Sequence, residues 1–142
     1  MRQSTMATAE KRKRSILSVE DDPHASRLIR AILEADGHTV FTESTSQGAM
    51  KALAQVHPSI ILLDVNLGEE SGYDLCHHIK VSYPDRDTLF VFLTGNKMPA
   101  DIAMARKLGA DYFIIKPFTP ETLLSGIDRA FVGRRIKNQA GR

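Results

Sequence analysis

Short apolar runs alternate with segments of helical period along this chain, five of each. The first run, Ser15–Val19, is followed by Asp22-Pro23, an N-cap with proline at the first helical position. Leu28, Ile29, Ile32 and Leu33 then mark one helix face, and Gly37 is placed to end the helix. Thr39–Thr42 predicts a second strand, and Ser46–Gln55 a shorter helix with Ala49, Met50 and Leu53 inward. Pro58 closes the loop behind it. In Ile60–Leu63 and again in Leu89–Leu93 no polar residue interrupts the run, as in a central parallel strand covered on both faces. Val65–Ser71 reads as a polar loop, and Gly72 opens a helix in which Leu75, Cys76 and Ile79 share a face. Pro99 sits in the first turn of the next helix, with Ile102, Ala105 and Leu108 inward and Gly109 as its stop. Tyr112–Ile115 is the fifth strand. Thr119-Pro120-Glu121 starts a last helix carrying Leu123, Leu124, Ile127, Ala130 and Phe131 inward.

Strictly alternating strands and helices predict an α/β fold, a five-stranded parallel doubly wound sheet with right-handed crossovers. No internal repeat and no second domain interrupts the pattern. Polar groups gather at the carboxyl ends of the runs: Glu20-Asp21-Asp22 after the first, Asp64 after the third, Thr94 after the fourth, Lys116-Pro117 after the fifth. Open parallel sheets bind their ligands at that edge, so these distant residues are expected to meet there.

Composition and charge refine this picture. The chain has 142 residues, 42% apolar and 25% charged, ordinary for a soluble globular protein. Its +2 net charge hides an asymmetry: residues 1–14 and 133–142 carry +4 each, which leaves residues 15–132 at −6. The expected layout is a basic disordered tail at 1–14, one acidic domain at 15–132 and a basic polar tail at 133–142. Direct nucleic-acid binding by the folded part is not expected, and Lys11-Arg12-Lys13-Arg14 reads as a solvated run. A single Cys76, no apolar run approaching the roughly 18 residues of a membrane span, and no apolar segment of a signal peptide in Met1–Arg14 point to a cytoplasmic protein without membrane association.

Carboxylates crowded within a few ångström repel one another, and one of them would stay protonated unless a cation intervened. Oxygen ligands without Cys or His select a hard divalent ion, and Mg²⁺ suits a solvent-open, phosphate-handling edge. Asp21 and Asp64 are expected as direct ligands and Glu20 through water; Asp22 is the helix cap, its contact with the metal left open. An ionised carboxylate attacks phosphorus without a general base, which makes Asp64 the candidate nucleophile for an acyl phosphate. Lys116 and the Thr94 hydroxyl would share the phosphoryl oxygens with Mg²⁺. Gly95 leaves room for the donor, and Lys116-Pro117 is a candidate cis bond.

Ser18-Val19-Glu20-Asp21-Asp22, Leu62-Leu63-Asp64-Val65-Asn66, Leu93-Thr94-Gly95 and Lys116-Pro117-Phe118 together resemble the receiver domain of bacterial two-component response regulators, over residues 15–132. The resemblance implies the flavodoxin-like (βα)5 fold with strand order 2-1-3-4-5. It implies Asp64 as phosphoacceptor, Glu20 and Asp21 as the acidic pair, the Asn66 backbone carbonyl as a further metal ligand, Thr94 as switch hydroxyl and Lys116 as phosphate-binding cation. Phe113 stands at the family's switch aromatic, without the hydroxyl of a tyrosine. Asn66 and Asn96 hold positions that tune hydrolysis of the acyl phosphate, and Gly68 replaces the usual proline, which suggests a looser loop. The implied partners are a histidine kinase or a histidine phosphotransfer protein, with a switching surface on the fourth helix, fifth strand and last helix and a phosphorylation-dependent dimer as one outcome. The kinase, the output and whether the receiver stands alone or belongs to a longer regulator stay open.

The alternative is a haloacid-dehalogenase-type aspartyl-phosphate phosphatase. That family needs an acid two residues after the nucleophile, and Asn66 stands there. Of His24, His57, His77 and His78 only His24 lies at a strand end near the acids, and it reads as solvent-facing in a first helical turn; Cys76 reads as core, and Tyr83-Pro84 and Asp85-Arg86-Asp87 as loop punctuation.

Overall fold

The computed structural model describes residues 13–95 and 99–140. Five strands, β1 (Ser15–Val19), β2 (Thr39–Glu43), β3 (Ile60–Asp64), β4 (Leu89–Thr94) and β5 (Tyr112–Ile115), form one parallel sheet in the order β2-β1-β3-β4-β5. Helices α1 (Pro23–Ala35), α2 (Ser46–Gln55), α3 (Gly72–Ser82), α4 (Pro99–Lys107) and α5 (Pro120–Ala140) connect and follow them. This is the expected doubly wound topology. No described helix is long and apolar enough to cross a membrane.

Local chemistry sets the boundaries. The Asp22 carboxylate accepts the His24 N–H and Pro23 opens α1, while Gly37 at φ +96° leaves it. The Thr45 hydroxyl caps α2 through the Gly48 N–H, and the Ser71 hydroxyl caps α3 through the Tyr73 and Asp74 N–H groups. Alternate residues of each strand enter opposite halves of the core. Ile16, Ile60, Leu62 and Val91 pack with Ile29 and Leu33 of α1 and Leu123 and Ile127 of α5. Leu17, Ile61, Leu63 and Phe92 pack with α2, α3 and α4 through Leu53, Cys76 and Ala105. Because β3 is buried along both faces, truncating Leu62 or Leu63 to alanine is expected to cost about 2–5 kcal/mol.

Four expectations need correction. Helix α5 runs to Ala140, so residues 133–140 are not a tail. The spacing that places Ile127 and Phe131 inward continues to Arg134, whose guanidinium grips Asp111. Residues 1–12 lie outside the described ones, but Arg14 belongs to the domain. Its guanidinium pairs with Asp128 at 3.0 Å and lies 4.0 Å over the Phe131 ring, and its N–H donates to Nδ1 of buried His38. Leu28, expected inward, is 53% exposed, because the stripe that packs onto the sheet is Ile29 and Leu33. Val65–Ser71 is no loose loop: Asn66–Leu67 and Glu70–Ser71 pair antiparallel, and the Glu70 carboxylate accepts the Ser46 N–H at 2.9 Å. Gly68 turns this ribbon at φ +68°, which proline cannot adopt.

Candidate functional site

Strand register assembles the site. Val19 pairs with Leu63, Asp64 with Leu93 and Thr94 with Ile115, so Glu20, Asp64, Thr94 and Lys116 come to the same sheet edge from four adjacent strand ends. Backbone bonds extend the row past the strands: the Glu20 N–H donates to the Glu43 carbonyl, Val65 to Leu93 and Lys116 to Thr94. Gly72 closes the arrangement from the side, since a Cβ there would collide with the Asp64 carbonyl. The start of α3 therefore rests directly on the Asp64 peptide.

Glu20 is 2% exposed and Asp64 4%, whereas Asp21 is open to solvent. One carboxylate oxygen from each of the three lies within 4.8 Å of the others. Lys116 Nζ reaches between two of them, 3.0 Å from Glu20 Oε1 and 3.0 Å from Asp64 Oδ2. The remaining oxygens accept backbone donors: Asp22 N–H on Glu20 Oε2 at 3.2 Å and Asn66 N–H on Asp64 Oδ1 at 3.1 Å. Asp22 itself is committed to the cap of α1.

One lysine does not balance three acids. Burial, then hydrogen bonding with Asp64, lifts the Glu20 carboxyl to about 7, against the lowering pull of Lys116 and the Asp22 N–H. Burial lowers the Lys116 ammonium, but the Glu20 and Asp64 carboxylates outweigh it and its pKa is raised. The crowding expected from the sequence is present, and Glu20 bears it on top of the larger effect of its burial.

Thr94 ends β4 in a buried position. A Cβ on Gly95 would meet nothing within 4 Å among the described residues, and Lys116-Pro117 is cis. Asn96 lies outside the described residues. Phe113 is half-buried against the core half shared with α4, its ring stacked 6.2 Å from that of Tyr112. His24, His57, His77 and His78 are exposed, and Cys76 is buried with its thiol pushed up to about 11, chiefly by that burial.

Tyr73 escaped the sequence reading, although it sits three residues before Cys76 on the inward stripe of α3. Its ring stands edge-on to Phe92 at 5.2 Å, and its hydroxyl donates to the Asp101 carbonyl in the first turn of α4 at 3.3 Å. Tyr83 and Asp85-Arg86-Asp87 were also underread. Arg86 lies 3.9 Å over the Tyr83 ring, and Asp87 pairs with Arg134 at 3.0 Å.

Comparison with known proteins agrees with this geometry. The family model of the response regulator receiver domain matches residues 16–128. The transcriptional regulatory protein GltR of Pseudomonas aeruginosa is 34% identical over 114 residues, 80% of this chain and 47% of that protein. The DNA-binding response regulator MtrA of Mycolicibacterium smegmatis is 27% identical over 115 residues, 81% of this chain and 49% of its own length. The chain thus spans about half the length of the curated relatives it matches. Among solved structures, NtrX of Brucella abortus superposes with a TM-score of 0.80 at 26% identity, over 92% of this chain and 29% of that one. Vibrio cholerae CheY4 superposes at 0.79 with 24% identity, over 84% of this chain and 99% of its own. Five parallel strands in this order, an acidic cleft at their carboxyl edge and the family match over residues 16–128 agree: the chain belongs to the response regulator receiver domains of two-component signalling.

Proposed function

We propose that Asp64 is the phosphoacceptor of this receiver and that its donor is a phosphohistidine on a histidine kinase or a histidine phosphotransfer protein. The observation that carries this reading is the convergence of Lys116 Nζ on Asp64 at the edge where Glu20 and Asp21 also gather. Asp64 is held at both oxygens, one by the Asn66 N–H and the other by Lys116, so its carboxylate is oriented before a donor arrives. A carboxylate oxygen forms the new P–O bond while the N–P bond of the donor breaks, its electron pair leaving with the imidazole. Lys116 and the Thr94 hydroxyl then bind oxygens of the transferred group.

The donor set fits a hard divalent cation: three carboxylates converge, with no His or Cys in the group among the described residues, and a cation would favour the charged form of the buried Glu20 carboxyl. Glu20, Asp21, Asp64 and the Asn66 backbone carbonyl would hold Mg²⁺. Bound there, it supplies positive charge to the phosphoryl oxygens. The haloacid-dehalogenase reading gains no support, since the position two residues after Asp64 is Asn66, which carries no proton-transferring acid.

Thr94 and Phe113 would relay the phosphorylated state to the α4-β5-α5 surface, for a downstream domain or protein or for a dimer of the chain. With these partners the receiver would act in the cytoplasm. Incubating the full chain with acetyl phosphate and Mg²⁺ tests the assignment: one hydroxylamine-labile phosphoryl group should appear by intact mass, and none on Asp64→Asn. Stoichiometric phosphorylation of Asp64→Asn would overturn it.

A further inference from the structure

At the amino ends of β3 and β4, opposite the Asp64 edge, lies a cavity of about 240 Å³. Its floor is core: Leu53, Ile61, Ile79 and Phe90 are all buried and pack together. Its rim carries three cations, Lys80, Arg86 and Arg134, and among the described residues no carboxylate lines it. The contrast with residues 15–132 as a whole, which sum to −6, is sharp.

The three cations differ in what they hold. Arg134 is neutralised, with Nε and Nη2 on Asp111 at 3.0 and 2.9 Å and Nη1 on Asp87 at 3.0 Å. Lys80 donates only to the Gly109 carbonyl at 3.2 Å, and its ammonium stands 5.1 Å from the centre of the Phe90 ring. Arg86 donates to the Val56 carbonyl at 3.3 Å and lies flat on Tyr83. Among the described residues neither Lys80 nor Arg86 has a carboxylate at ion-pair distance. Two positive charges therefore border an apolar hollow with no counter-charge of their own.

We propose that this cavity binds a small organic carboxylate with an apolar body of about one ring. The apolar floor takes the body out of water. Stacking on Tyr83 covers one face of the Arg86 guanidinium and leaves its edge, whose fork of N–H donors matches a carboxylate; Lys80 adds a second charge-assisted bond. The volume lies just under the ~300–1,000 Å³ usual for small-molecule pockets, which limits the body to that size. None of these groups takes part in the chemistry at Asp64, so the proposal stands apart from the phosphoacceptor assignment.

Titrating the isotope-labelled full chain with phenylacetate, and in parallel with the uncharged phenylacetamide, tests it by NMR. Phenylacetate should give saturable shifts at Tyr83, Arg86, Thr88 and Phe90, and the amide should bind at least about tenfold more weakly, the loss expected when a charge-assisted bond is replaced. The double variant Lys80→Gln/Arg86→Gln should lose the preference for the anion while Asp64 is still phosphorylated by acetyl phosphate, which also reports its folding. Equal binding of the two compounds to the unaltered protein, or shifts that stay linear in concentration and scattered over the surface, would overturn the proposal without any variant.

Discussion

Two charged networks at opposite ends of the sheet, one around Arg134 and one around Lys116, are balanced in opposite ways. At the amino edge Arg134 is clasped by Asp111 and Asp87, donors and acceptors matched, with Asp111 also accepting the Phe90 N–H. At the carboxyl edge Glu20, Asp21 and Asp64 face a single Lys116, and burial first, with the hydrogen bond and charge of Asp64 added, lifts Glu20. The matched network holds β4, β5 and α5 together, because Asp111 precedes β5 and Arg134 lies in α5. On the proposed function, the unmatched cluster is an opening for an incoming cation and phosphoryl group. A site left out of balance in this way is costly to folding and useful to chemistry.

Breaking the matched end should have the largest effect on stability. The Asp111 side chain is almost wholly buried, and Arg134→Ala would leave its carboxylate with the Phe90 N–H as its remaining donor among the described residues. Removing one partner of a buried pair costs up to about 3–5 kcal/mol, and the partial exposure of Arg134 brings the expectation to about 3 kcal/mol. Asp87 is 90% exposed, so Asp87→Ala should change stability by less than about 1 kcal/mol. Urea unfolding measures both, and acetyl phosphate should still modify the folded variants at the unaltered rate. Similar small losses for the two substitutions would mean that the Arg134–Asp111 pair does not anchor α5.

The unmatched end should respond with the opposite sign. In metal-free protein the Glu20 carboxyl is raised from 4.5 to about 7, so the folded state holds that proton more tightly than the unfolded chain. Its contribution is therefore fully present below pH 4.5 and is lost as pH rises through about 7, by up to about 3 kcal/mol at 1.4 kcal/mol per unit. Glu20→Gln should flatten that slope, matching the parent protein at pH 4 and exceeding its stability by about 2 kcal/mol at pH 8 in chelator. Adding Mg²⁺ should restore much of the difference to the parent and little to the variant, whose phosphorylation should slow. A metal-free parent whose stability is flat from pH 4.5 to 8 would remove the argument that Glu20 bears the crowding.

The carboxyl edge was legible from sequence and the amino edge was not, for a physical reason. Glu20, Asp64, Thr94 and Lys116 each directly follow or end an apolar run, so knowing where the strands stop places them together. Arg134, Asp111 and Asp87 follow no such rule. Their pairing spans 23 and 47 residues and depends on how far α5 continues, which a polar, basic composition concealed. Arg14 was lost in the same way: the charge count assigned it to a tail, while its side chain bridges to Asp128 and Phe131. Tyr73 was visible on the inward stripe of α3, but periodicity reports burial and not where a hydroxyl points. The β3–α3 connection misled through a single residue, since Gly68 signals freedom in sequence and a defined left-handed turn in the fold.

The smallest expected effect concerns how the carboxyl edge communicates with α4. Phe113 offers no hydroxyl, but among the described residues the Tyr73 hydroxyl makes a side-chain polar link to α4, on the Asp101 carbonyl. Burial, with the Asp101 charge nearby, raises the Tyr73 pKa, so the phenol stays protonated and remains a donor. Tyr73 also follows Gly72, which rests on the Asp64 peptide, and thus joins the end of β3 to α4 within two residues. Tyr73→Phe keeps the ring on Phe92 and deletes only the hydrogen bond, at a cost of about 1 kcal/mol. Phosphorylation of Asp64 should be unchanged, while amide resonances of α4 should move in the unphosphorylated variant toward their positions in beryllofluoride-bound parent protein. Those around Arg134 and Asp111 should stay where they are. If the α4 resonances of the unphosphorylated variant coincide with those of the parent, the hydroxyl carries no part of the restraint, and α4 is held by apolar contacts such as those of Ala105 and Leu108.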